Sequence, residues 1–109
     1  MTNICYCGGV FKGSTPTLNF NVNAPLENIQ AMYLTFEQCG IPILEKDINN
    51  IKIVDLDTIN VTLTQEETLL FSSKYDIEVQ FRAKYEDGSA TTSDINTFNI
   101  CRVLKNEVI

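Results

Sequence analysis

Ile77-Glu78-Val79-Gln80-Phe81-Arg82-Ala83-Lys84 alternates apolar and polar side chains without a break. Side chains along a β-strand point to opposite faces with a period of two. The stretch therefore predicts a strand that buries Ile77, Val79, Phe81 and Ala83 and leaves Glu78, Gln80, Arg82 and Lys84 in water. Upstream, Leu18, Phe20 and Val22 alternate with Thr17, Asn19 and Asn21, and Met32, Leu34 and Phe36 with Tyr33, Thr35 and Glu37. Gly40-Ile41-Pro42 reads as a turn, with Ile43-Leu44-Glu45-Lys46 as the return strand of a hairpin. Ile51–Val54 and Ile59–Leu63 flank the Asp55–Thr58 connection as a second hairpin-like pair. Downstream, Asp87-Gly88 marks a tight turn, because glycine tolerates the positive φ such turns need. The last strand system runs from Ala90 to Leu104, and its alternation slips between Ile95 and Phe98. That slip predicts a bulge or bend where the strand changes partner.

One segment breaks the β rhythm. Thr64 is followed three residues later by Glu67, the spacing of a capping box, and Leu69-Leu70 come next. A single helical turn near residues 64–70 is expected, with Glu66 and Glu67 at its dipole-positive end. Adjacent residues on a helix do not face each other, so Glu66 and Glu67 read as a cap and not as an acid–base pair.

About seven short strands with one helical turn give an all-β fold, an antiparallel immunoglobulin-like β-sandwich. A small, partly open barrel is the alternative. The domain spans residues 12–109, behind an N-terminal arm at residues 1–11. Truncation of Phe20, Leu34 or Phe81 is expected to be among the costliest changes.

Composition narrows the function mainly by exclusion. The 109 residues carry 14 acidic and 8 basic side chains, a net charge of −6, and a nucleic-acid partner would call for a concentrated basic face. There is no histidine, which removes the commonest general base and metal ligand. Met1 to Phe11 lacks the basic and apolar regions of a secretory signal, and no stretch has the length to cross a bilayer, so a cytoplasmic origin and no membrane partner are expected.

Four cysteines stand at positions 5, 7, 39 and 101. Cys5 and Cys7 are too close for the usual zinc hairpin. Cys39 and Cys101 read as small apolar residues in or near the core, and Cys5 and Cys7 as part of the arm, with no bridge required. Asp55 and Asp57 lack the further oxygens of a calcium loop, Gly8-Gly9 and Gly13 lack the Lys-Ser/Thr ending of a phosphate loop, and Asn60-Val61-Thr62 lies in an expected strand. No catalytic residue and no cofactor or metal is therefore expected. What remains is surface: outward threonines and asparagines, strand edges with few guarding lysines, and an apolar Val108-Ile109 end.

The segment Lys12-Gly13-Ser14-Thr15-Pro16-Thr17-Leu18-Asn19-Phe20 resembles small immunoglobulin-like structural proteins of phages and prophages of Gram-positive anaerobes. The likeness continues at Leu63–Leu69, Ile77–Arg82, Asp87–Ala90, Arg102–Leu104 and Glu107–Ile109. It implies a non-enzymatic virion protein of the capsid, neck or tail, made in the host cytoplasm and acting by protein–protein assembly with other virion proteins or copies of itself. The expected contact residues are Lys12, Gly13, Thr15, Pro16, Leu104, Val108 and Ile109. A carbohydrate- or receptor-binding module, for which only Tyr6, Tyr33, Tyr75 and Tyr85 could supply stacking, and an acidic inhibitor of a host protein, are the alternatives.

Overall fold

The computed structural model describes residues 9–109. In chain order the elements are β1 (Val10–Phe11), β2 (Thr17–Asn21), β3 (Ile29–Gln38), β4 (Ile41–Asp47), β5 (Lys52–Ile53), β6 (Thr58–Thr62), α1 (Gln65–Leu69), β7 (Ile77–Tyr85), β8 (Ala90–Thr92), β9 (Asn96–Phe98) and β10 (Ile100–Cys101). The fold is all-β with largely antiparallel pairing. One sheet has the order β2-β6-β5; the larger has β4-β3-β7-β8, with β9 also on β7; β1 and β10 pair in parallel.

Register explains the core. Leu34 lies opposite Phe81 and Phe36 opposite Val79 across β3 and β7, so the inward phases of the two central strands coincide. Across the smaller sheet Leu18 faces Val61 and Phe20 faces Ile59. The two sheets meet where Phe36 packs against Phe20 at 6.5 Å between centroids, and Phe71 at 6.1 Å and Phe98 at 6.3 Å complete the ring cluster around Phe36. Leu34 and Phe81 are buried as expected, while Phe20 is only half-buried at the rim of this cluster.

Several expectations need correction. The turn between β3 and β4 is Cys39-Gly40, both at positive φ (54° and 76°), and Pro42 already belongs to β4. Its lack of an N–H is tolerated because β4 is an edge strand and a bulge lies between Phe36 and Glu37. Cys39 is thus an exposed free thiol on a turn and not a core residue. Cys101 is buried, as expected, but it is disulfide-bonded, where no bridge was required. Cys5 and Cys7 lie outside the described residues. Val10 and Phe11, assigned to the arm, are paired with Ile100 and Cys101. Gly9 fits there because a Cβ would stand 2.9 Å from the Asn99 carbonyl oxygen.

The final strand system divides into three. Arg82 pairs with Thr92 and Val79 with Asn96, so three residues of the returning chain oppose two of β7. Ser93 fills this irregularity: its hydroxyl accepts the Phe81 N–H at 3.0 Å, and its N–H bonds the Phe81 carbonyl at 2.9 Å. The strand keeps β7 as its partner through Phe98 and changes to β1 only at Ile100, after the phase slip and not at it.

Strand directions place α1, the β1–β2 connection, the Cys39-Gly40 turn and the segment after β10 at one end of the molecule. The connections at residues 22–28, 54–57 and 86–89 share the other end.

Candidate interaction surface

Three polar residues are buried among those described, Gln38, Lys46 and Thr68, and all three hold α1 or the loop behind it. Gln38 continues the inward phase of Met32, Leu34 and Phe36. Its amide nitrogen donates to the carbonyls of Ser72 at 2.7 Å and Tyr75 at 2.9 Å, and its oxygen accepts the Ser72 N–H at 2.8 Å. Lys46 likewise follows Leu44 inward, and its ammonium sits 2.7 Å from each carboxylate oxygen of Glu67. A buried polar group is costly unless it is paired; here no buried side-chain nitrogen or oxygen of the described residues lacks a partner.

Helix α1 has one turn and gains its rigidity from these partners. The expected capping box is present: the Glu67 N–H bonds the Thr64 hydroxyl at 3.1 Å, and the Glu67 carboxylate accepts the Thr64 N–H at 2.9 Å. Partial burial pushes the Glu67 carboxyl upward. The hydrogen bonds from Lys46 and Thr64, with the positive charge beside it, outweigh that and hold it below its ordinary value of 4.5.

Two of the residues expected to make contacts, Gly13 and Ile109, hydrogen-bond to this helix. The Gly13 N–H donates to the Thr68 hydroxyl at 2.9 Å, with Gly13 at a φ of 81° that favours glycine. The Thr68 hydroxyl has the Ser14 carbonyl within 3.0 Å and the Gln65 carbonyl within 3.1 Å. Lys12 N–H bonds the Cys101 carbonyl at 2.9 Å, and the Pro16 carbonyl accepts the Leu63 N–H at 3.0 Å. From the far side of the sequence, the Ile109 N–H reaches the Gln65 side-chain oxygen at 3.0 Å. Lys12–Pro16 is therefore a fixed strap with Thr15 exposed. Leu104 is 91% and Ile109 87% exposed, with Val108, Leu70 and Phe11 at about half. Apolar side chains gathered at one end are a common mark of an interaction site. Sequence reasoning missed Leu70, Phe11 and the buried trio; for Gln38 and Lys46 the available signal was a polar residue in the core phase of a strand.

The other candidates are dispersed. Tyr33 lies mid-strand on the outer face of the larger sheet, opposite Asp47 and Arg82, whereas Tyr85 at the loop end donates its hydroxyl to the Pro25 carbonyl at 2.6 Å. Tyr6 is outside the described residues. Asp55 and Asp57 spend carboxylate oxygens on the Leu56 N–H at 2.8 Å and the Thr58 hydroxyl at 3.2 Å. No group of three metal-ligating side chains occurs among the described residues. None of their helices is long and apolar enough to cross a membrane.

No family model, curated protein or solved structure matches the chain.

Proposed function

We propose that this chain is an immunoglobulin-like β-sandwich serving as a non-enzymatic structural protein of a phage particle, in the capsid, neck or tail. The helix end acts as its docking face. The single observation that carries the proposal is that Gly13 and Ser14 from one expected contact segment and Ile109 from the other hydrogen-bond to α1, at Thr68 and Gln65. Contact segments chosen from opposite ends of the sequence share one pre-shaped surface, which lowers the ordering cost of docking.

Further support comes from strand order. A β2-β6-β5 sheet set against β4-β3-β7 with its returning strand, and a first strand parallel to the last, follows the B-E-D and C′-C-F-G arrangement of immunoglobulin-type sandwiches. The sequence likeness to phage structural proteins spans Lys12 to Ile109. The Cys101 disulfide suits a protein that leaves the reducing cytoplasm on a particle, since bridges persist on virion surfaces.

The test is mass spectrometry of density-purified particles from the phage or prophage that encodes the chain. The chain is expected among their proteins, and its absence from intact particles refutes the proposal.

A further inference from the structure

Asp87-Gly88 is the only place in the chain where an aspartate or asparagine precedes a glycine. The pair lies in the turn between β7 and β8, and both residues are exposed. At such a pair the glycine nitrogen can attack the aspartate side-chain carbon, because no glycine Cβ crowds the approach. A C–N bond forms, and the carboxyl hydroxyl leaves with the nitrogen's proton as water, closing a succinimide ring. Water then adds back at either ring carbonyl and gives aspartate or isoaspartate, with no net change of atoms. Ring closure asks two things of the turn: a glycine N–H free to give up its proton, and a neutral carboxyl free to rotate toward it.

The folded turn withholds both. The Gly88 N–H donates to the Tyr85 carbonyl at 2.9 Å. The Asp87 Oδ1 accepts the Ser89 hydroxyl at 2.6 Å and the Ser89 N–H at 2.9 Å. These two bonds, the hydroxyl's first, hold the Asp87 carboxyl below its ordinary value of 3.8, so the group is ionised at neutral pH and accepts a nucleophile poorly. Packing adds no shield: a Cβ built on Gly88 would meet nothing within 4 Å. Across the hairpin mouth the Tyr85 N–H bonds the Ser89 carbonyl at 2.8 Å and keeps Ser89 in place.

We propose that Asp87-Gly88 is a latent isomerisation site that Ser89 keeps closed in the folded chain. Opening it takes only the loss of a few exposed hydrogen bonds beside β8, an edge strand of 3 residues. Local openings of that kind cost far less than global unfolding. The product matters to the fold because isoaspartate places its side-chain carbon in the main chain. The turn is lengthened by a methylene, which draws Ser89 away from Tyr85. Tyr85 also donates its hydroxyl to the Pro25 carbonyl at 2.6 Å, so the displacement reaches the neighbouring connection.

The test compares the wild type with Ser89→Ala and Asp87→Asn, each incubated folded and, separately, in denaturant, with circular dichroism checking the fold. Isoaspartate at residue 87 is read by peptide mapping, where it shifts retention without changing mass. In denaturant the wild type and Ser89→Ala should isomerise at similar rates. Folded, the wild type should be several-fold slower than in denaturant, and Ser89→Ala several-fold faster than the folded wild type. Asp87→Asn closes the same ring by expelling ammonia and has no carboxyl to protonate, so it reads the hydrogen-bonded geometry alone. It too should react several-fold more slowly folded than unfolded. A folded wild type as fast as the unfolded chain, a folded Ser89→Ala no faster than the wild type, or an Asp87→Asn rate indifferent to folding overturns the proposal. Presence of the chain in particles is a separate measurement, and it survives failure here.

Discussion

Lys46 on the edge strand β4 and Glu67 on α1 share a contact of 2.7 Å to each carboxylate oxygen, and one of those oxygens also closes the capping box at Thr64. One carboxylate thus joins the larger sheet, the helix and the helix entry. The helix end is consequently part of the folded core and not an appended loop.

Acid should loosen this junction. The folded Glu67 carboxyl lies below its ordinary value of 4.5, so its ionised form is the one folding favours. Its contribution is complete above the unfolded value and is lost as pH falls through the lower folded value. Glu67→Gln should lower stability at neutral pH by about 1–2 kcal/mol, in the lower part of the range for charged hydrogen bonds because the pair is partly solvated. The gap between wild type and variant should narrow from about pH 6 to about pH 3 in denaturant titrations. A gap that stays constant with pH contradicts the assignment.

Thr68 should be irreplaceable by an isostere. Thr68→Val keeps the shape but leaves the Gly13 N–H without its acceptor, at about 1–3 kcal/mol. Thr68→Ser keeps the hydroxyl and should lose less. Chemical denaturation gives the ranking, and equal losses would show that packing, not the hydrogen bonds, fixes the strap.

In the core, Phe36 rather than Phe20 should be the costliest ring. Phe36 is fully buried and contacts three other rings. Phe36→Ala, like Phe81→Ala, should destabilise by about 3–5 kcal/mol. The half-buried Phe20 should cost less on truncation. Urea midpoints of the three variants decide the order.

Reduction should weaken the fold through Cys101 and not through Cys39. Cys101 is disulfide-bonded and lies in β10 beside β1, while Cys39 is a free thiol on a turn. Loss of a native bridge costs about 2–5 kcal/mol in small domains. Thermal melts should therefore fall on adding reductant and in Cys101→Ser, with Cys39→Ser unchanged. A melting point indifferent to reductant rules out a stabilising bridge.

The strands that carry the core were legible because alternation is a local signal: Ile77–Ala83 and Met32–Phe36 announce their buried faces from their own residues. The helix was legible for the same reason, since Thr64 and Glu67 carry their cap within three residues. Pairing is not local. Nothing in Val10-Phe11 names Ile100-Cys101 as its parallel partner, so those residues read as arm. Gln38 and Lys46 occupy core-phase positions, but the groups that neutralise them, Ser72, Tyr75 and Glu67, lie 21 to 37 residues away. Cys39 looked like a core residue because its position on a turn depends on its backbone conformation. That Gly13 and Ile109, far apart in the chain, both bond to α1 was not legible, because those pairings too are not local.

The docking role proposed for the helix end is tested most directly by particle incorporation of a surface variant. Leu104→Asp/Ile109→Asp alters two of the most exposed apolar side chains and should leave the folded chain intact. Quantitative mass spectrometry of purified particles should find the wild-type chain at a fixed ratio to the major particle proteins, and the folded variant depleted at least several-fold. Incorporation of the variant at the wild-type ratio would contradict the account.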